Sequence, residues 1–333
     1  MFKYVIFLIS FCMASSLIDK PQEAILSETK LISDSTSILP LIGQTASKIN
    51  YIGTTRDIKV DWILTDKFLN PSIAVEFYPI WLTYFKNKSY SEITKMSLPQ
   101  KQLMDLSVNV CNNNKGGTNY IFTSGITYPI YDYSDIKYNR DTITQIENII
   151  PNSYLDVMTE IAILSVTEGE NSSNVIALKK KQEQILSDIK IKQQSIVENY
   201  KSNYWNSFKI IGGYFHTIEY GLNREYKPSF KTNNHNIFLI TYFPIGKIGQ
   251  GGILHQYNIT DAILELGANI RFGTNPERTI FTEYLVNNNF REQKIAVGGT
   301  FTIDNKYKLS IGFQFLIEEK ELVKIKPTYK VNM

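Results

Sequence analysis

Two runs near the C-terminal end, residues 294–303 and 307–317, are joined by Asp304-Asn305-Lys306 and constrain the fold more than any other stretch. In the first, Ile295, Val297, Gly299, Phe301 and Ile303 share one parity, and Ala296, Gly298, Thr300 and Thr302 share the other. In the second, Tyr307, Leu309, Ile311, Phe313, Phe315 and Ile317 alternate with Lys308, Ser310, Gly312 and Gln314. Strand side chains point alternately to opposite faces, so each run has one apolar surface and one small or polar surface. A soluble sandwich would bury the apolar surface against a second sheet. A membrane barrel would turn it toward lipid and leave the polar surface inside.

Strand length and the chemistry of the polar parity favour the barrel. Residues 205–220 and 262–273 are long alternating runs, whereas soluble strands average about 5–6 residues and tilted membrane strands need about 9–11. In 262–273, Ala262, Leu264, Leu266, Ala268, Ile270 and Phe272 oppose Ile263, Glu265, Gly267, Asn269 and Arg271. Carboxylate and guanidinium groups at Glu265 and Arg271 are costly in a sandwich core but tolerable in a wet interior. Lys209, Glu219, Glu265, Asn269, Arg271 and Gln314 are therefore the candidate lumen-lining residues. The expected fold is all-β: an antiparallel outer-membrane-type β-barrel of about ten to twelve strands, with a short N-terminal helix and helical inserts.

Along the chain, residues 1–14 have the layout of a secretory signal: Lys3, then an apolar run, then Cys12-Met13-Ala14 as a cleavage site. Residues 15–70 form an N-terminal periplasmic segment, in which Thr54 or Thr55 caps a short helix bearing Ile58, Trp62 and Ile63. The barrel is expected over 71–318, and 319–333 reads as a polar tail. Strands are expected at 73–85 (bent at Pro79), 103–110, 118–131, 154–166, 205–220, 237–245, 262–273 and 279–287, besides the pair above. Cys111-Asn112-Asn113-Asn114-Lys115-Gly116-Gly117 reads as a turn, and the glycine-rich stretch 246–260 as a flexible connection. Helical inserts are expected at 139–150, capped by Asp141, and at 174–200, where Leu178, Ile185, Ile189 and Ile196 form an apolar stripe. Strand parity puts the first insert after strand three, outside, and the second after strand four, in the periplasm.

The run Ile38-Leu39-Pro40-Leu41-Ile42-Gly43, then Ala46-Ser47-Lys48-Ile49 and Gly53-Thr54-Thr55-Arg56-Asp57, precedes Asn70-Pro71-Ser72-Ile73-Ala74-Val75-Glu76-Phe77-Tyr78-Pro79-Ile80-Trp81-Leu82. Over residues 38–85 this resembles a family of uncharacterised bacterial secreted or outer-membrane β-barrel-like proteins. The chain departs from the family pattern in having Ala46 and Gly53 in place of prolines, Ser72 in place of a glycine and Ile80 in place of a tyrosine. The resemblance implies a secreted, β-rich, barrel-like protein and supplies no site residues.

Composition removes several classes. A formal net charge of +3, with Lys179-Lys180-Lys181 as the one dense basic run, gives no support to nucleic-acid binding. Two cysteines cannot make a disulfide scaffold once Cys12 leaves with the signal. The three histidines, His216, His235 and His255, form no metal-ligand spacing, so no metal or cofactor is expected. The sequence thus points to an outer-membrane barrel with a structural, surface or small passive channel role, without catalysis. Its partner is the lipid bilayer of the outer membrane, with the 174–200 helix available to a protein partner. The alternatives are a barrel-embedded lipid-modifying enzyme using His216, and a soluble secreted β-barrel or sandwich binder.

Overall fold

The computed structural model describes residues 56, 58–63, 72–86, 88, 92–93, 95–116, 119–149, 151–169, 171–222, 228–275, 278–287, 292–303, 307–318 and 321–332. The expected signal at 1–14, Thr54 and Thr55, and most of the 15–70 segment lie outside the described residues. The chain divides into a helical unit, containing 86–96 and 136–201, and a sheet unit, containing 30–85, 97–135 and 202–333.

The sheet unit is built on one antiparallel sheet. Its strands are β1 (Lys59–Ile63), β2 (Ser72–Phe77), β3 (Ser107–Gly116), β4 (Asn119–Asp132), β5 (Lys209–Leu222), β6 (Pro228–Ile245), β7 (Gly249–Asn258), β8 (Ile263–Asn275), β9 (Arg278–Asn287), β10 (Glu292–Ile303), β11 (Tyr307–Glu318) and β12 (Glu321–Asn332). Each pairs with the next in sequence, and β1 also meets β12 at one register position, Trp62 opposite Val331. The alternation seen in sequence becomes two unlike faces. On β8, Gly267, Asn269 and Arg271 are buried, whereas Ala268, Ile270 and Phe272 are exposed.

Several expected elements differ, each for a local reason. The short helix over Ile58, Trp62 and Ile63 is strand β1, because a partner in β2 is available at every one of its five positions. Strand 73–85 stops at Phe77. Pro79 lacks the donor a ladder needs and opens a helical turn, with Leu82 N bonded to Tyr78 O at 3.0 Å. Residues 98–103 form α1 (Leu98–Leu103), so the strand expected from 103 begins only at Ser107; the Asn-rich turn after Cys111 is the continuation of β3. Within the expected 319–333 tail, Glu321–Asn332 is β12, where Lys324, Lys326 and Lys330 alternate with Ile325, Tyr329 and Val331.

The flexible connection at 246–260 is largely β7, entered from β6 through a tight turn in which Gly246 takes a φ of 61°. Glycine-rich strands are weak by themselves. Here the aromatic ring of Phe243 lies over Gly251, its directly opposite neighbour, and a Cβ at Gly251 would fall inside contact distance of that ring.

In the helical unit, α2 (Arg140–Glu147) starts at Asn139, not Asp141: Asn139 accepts a hydrogen bond from Thr142 N at 2.9 Å. The expected strand 154–166 is a helix, α3 (Asn152–Thr167). Tyr154 and Val157 are buried and Ile161 and Leu164 half-buried, a 3-4-3 spacing that marks one helical face hidden within an apparent alternation. α4 (Ser173–Tyr204) extends well beyond the expected 174–200. Ile136, Ile143, Ile146, Val197 and Tyr200 form the unit's apolar cluster, and Gln182 and Gln193 of α4 donate to Met158 Sδ and Ile146 O. Both inserts follow β4, so the expected opposite placement of α2 and α4 does not hold.

Candidate functional site: the buried face of the sheet

The buried face carries charge and packing in separate zones. Lys59, Glu76, Lys209, Arg271 and Glu283 are no more than 2% exposed. Burying an ion is costly unless a partner and hydrogen bonds answer it, and each is answered. Lys59 Nζ lies 3.6 Å from Glu76 Oε2 and donates to Tyr78 Oη at 3.0 Å. Ser107 Oγ donates to Glu76 Oε1 at 2.6 Å, and Asn109 Nδ2 bridges Ser107 and Thr127. Lys209 Nζ lies 3.6 Å from Asp132 Oδ2, whose other oxygen accepts from Ser134 N and Oγ. Arg56 joins Asp105 and Asp135 and stands over the Trp81 ring.

The same face also carries an apolar layer. Ala74, Cys111, Ile211, Phe215, Phe238, Ile240, Tyr242, Leu254 and Leu285 form one cluster, drawn from β2, β3, β5, β6, β7 and β9. The 237–245 run, apolar on both parities, accordingly sends Phe238, Ile240 and Tyr242 into this layer and leaves Ile237, Leu239 and Phe243 exposed.

All six sequence candidates are on the face opposite the exposed apolar side chains, but the structure does not gather them into one site. Lys209 is paired with Asp132. Asn269 donates to Glu283 at 3.5 Å; Arg271 donates to Thr279 at 3.3 Å and stacks over Phe281. Glu219, Glu265 and Gln314 are half-buried on β5, β8 and β11. Sequence reasoning missed Lys59, Glu76, Ser107, Asn109 and Asp132, the best-connected part of the network. The signal is present in Glu76 and Asn109, each a polar residue between two apolar ones, whereas Lys59 lies in a segment that the sequence alone presents as helical.

His216 and His235 stand directly opposite on β5 and β6 with their rings stacked at 4.6 Å. His216 Nε2 is bonded to Asn233 Oδ1, and His235 Nδ1 to the Tyr214 hydroxyl at 2.6 Å. The hydrogen-bond partner of His216 on β6 is thus an amide, while Ser124 of β4 stands directly opposite it in register on the other side. Among the described residues, no group of three or more His, Cys, Asp or Glu side chains is placed to hold a metal ion, and no helix is long and apolar enough to cross a membrane. No protein-family model matches the chain, and no curated protein is similar to it.

Proposed function

We propose that the sheet closes through β1 and β12 into an outer-membrane-type β-barrel whose interior is filled, giving a structural or surface protein of the envelope and not a diffusive pore or an enzyme. The observation that carries this reading is the inversion of the two faces. Every strand except β3 places a large apolar side chain on the exposed face, among them Val60, Ile126, Ile253, Ile270, Ile280, Phe301 and Phe313. Soluble monomers rarely expose a contiguous apolar surface on this scale, while lipid requires one. The charged residues meanwhile occupy the buried face, as in a polar barrel interior.

Register supports closure. From Trp62, successive partners lead through Ile73, Asn112 and Phe122 to Ile218, far along β5. From Val331 in the other direction they pass through Leu309 to Phe301, one position past the last β9–β10 pair, Thr300 with Thr279, and so leave the ladder at the end of the sheet where β5 begins. The two paths arrive at different heights, and that offset is the stagger a closed ring of tilted strands needs. The apolar cluster, joining β2 and β3 to β9, also favours a curled sheet with an occluded interior. β1 begins and β12 finishes at the end of the sheet from which the β4–β5 connection leaves. With the chain ends in the periplasm, that connection emerges on the periplasmic side.

The test is fractionation of cells expressing the full chain, followed by purification into a planar bilayer. The protein is expected to stay in the membrane pellet through a carbonate wash and to show no stepwise conductance. Release into the wash would return the soluble binder; stable conductance steps would replace the filled barrel with a channel.

A further inference from the structure

One layer beyond the apolar cluster, three oxygen-bearing side chains stand in register on adjacent strands: Gln256 on β7 opposite Glu265 on β8, and Glu265 opposite Asn287 on β9. All three are half-buried on the same face as Leu254, Gly267 and Leu285, which stand opposite one another in the layer beneath. Directly opposite residues on one face have Cβ atoms about 4.5–5.5 Å apart, so their terminal oxygens can converge. Gly267, at the centre of the lower layer, contributes no side chain and leaves depth under Glu265.

Two of these oxygens are orphans. Gln256 Oε1 and Asn287 Oδ1 are buried, and among the described residues no donor reaches either. Gln256 cannot readily turn to correct this, because its amide nitrogen donates to Asn236 Oδ1 on β6 at 3.5 Å. A buried carbonyl oxygen without a donor is costly, and two beside a carboxylate place lone pairs against negative charge. A cation seated beside the carboxylate would take a lone pair from each of the two orphan oxygens. From this juxtaposition we infer that Gln256, Glu265 and Asn287 form a binding site for a hard divalent cation, with Ca2+ the best fit. Carboxylate and amide oxygens are the donors Ca2+ takes in its flexible coordination shell, whereas Mg2+ demands near-octahedral geometry and keeps most of its water. A single carboxylate gives a weak site, with half-saturation on the order of 0.1–1 mM, in the range of extracellular Ca2+ modules. The ion would tie β7, β8 and β9 together at one end of the sheet. The site stands whether or not the exposed face meets lipid.

The experiment is calorimetric titration of the purified, detergent-solubilised full chain with CaCl2, alongside thermal unfolding with and without Ca2+. One bound equivalent and a raised unfolding temperature are expected. Glu265→Gln keeps the shape and removes the charge, and Gln256→Met removes one orphan oxygen; the first abolishes the heat signal and the temperature shift, the second weakens both. Glu219→Gln, a half-buried carboxylate elsewhere on the same face, leaves both intact, and circular dichroism verifies the fold of each variant. No binding at millimolar Ca2+, which would leave the orphan oxygens to water alone, overturns the site. So does wild-type binding in Glu265→Gln, or an equal loss in Glu219→Gln.

Discussion

Lys59 and Glu76 stand directly opposite each other on β1 and β2, their charged groups 3.6 Å apart and neither side chain in contact with solvent. The pair is the root of a network that includes Tyr78 and Ser107 and holds the five-residue strand β1 to the rest of the sheet.

Removing one member leaves the other as an uncompensated buried charge. Lys59→Met or Glu76→Leu is therefore expected to cost about 3–5 kcal/mol, while the double variant costs less than either single one. Urea unfolding midpoints of the four proteins, compared at constant slope, measure this. Additive losses would mean that the two groups act independently.

The sequence disclosed the sheet where one parity was strictly apolar, as in β8, β10 and β11. It misled where a second influence set the conformation. Tyr154, Val157, Ile161 and Leu164 satisfy a helical period, and the residues between them are apolar enough to imitate a strand. β1 and β12 become strands through their partners, since neither short β1 nor lysine-rich β12 has a strong pattern alone. The polar positions of the buried face were legible one strand at a time. Their pairing was not, because Lys209 with Asp132, or Glu265 with Gln256 and Asn287, depends on the register between separate strands, which no single segment encodes.

Phe243 and Gly251 are expected to be coupled with a definite sign. A side chain at Gly251 meets the Phe243 ring, so Gly251→Val should destabilise by about 1–3 kcal/mol. Phe243→Ala alone uncovers the glycine backbone and also destabilises. Combined with Gly251→Val it removes the clash, so the double variant should be more stable than the sum of the singles allows. A double-mutant cycle on unfolding free energies checks this, and additivity would show that the ring moves aside without cost.

Ala262 adopts a φ of 54° in the turn between β7 and β8, beside Asn258, whose Oδ1 accepts from Thr260 N and Asp261 N. The left-handed region costs an L-residue about 1–2 kcal/mol relative to glycine. Glycine also gains more freedom in the unfolded chain, which offsets about half of this. Ala262→Gly should therefore stabilise by about 0.5–1 kcal/mol, and Ala262→Val should destabilise. Matched thermal melts of the three proteins test the order.

The exposed face offers the sharpest discrimination between solvents. Ile270 on β8 is 42% exposed, with Thr282 opposite on β9. In water, Ile270→Arg would be nearly neutral, since an exposed apolar residue on a soluble sheet loses little by becoming charged. Against hydrocarbon, the same substitution costs about 2–4 kcal/mol near the midplane and falls toward zero at the interfaces. Refolding wild type and Ile270→Arg into lipid vesicles, and comparing their urea midpoints, distinguishes the two. The penalty should shrink for a matched Thr260→Arg change in the β7–β8 turn. A shift of less than about 0.5 kcal/mol at Ile270 would mean that this face meets water, and the membrane reading would fall with it.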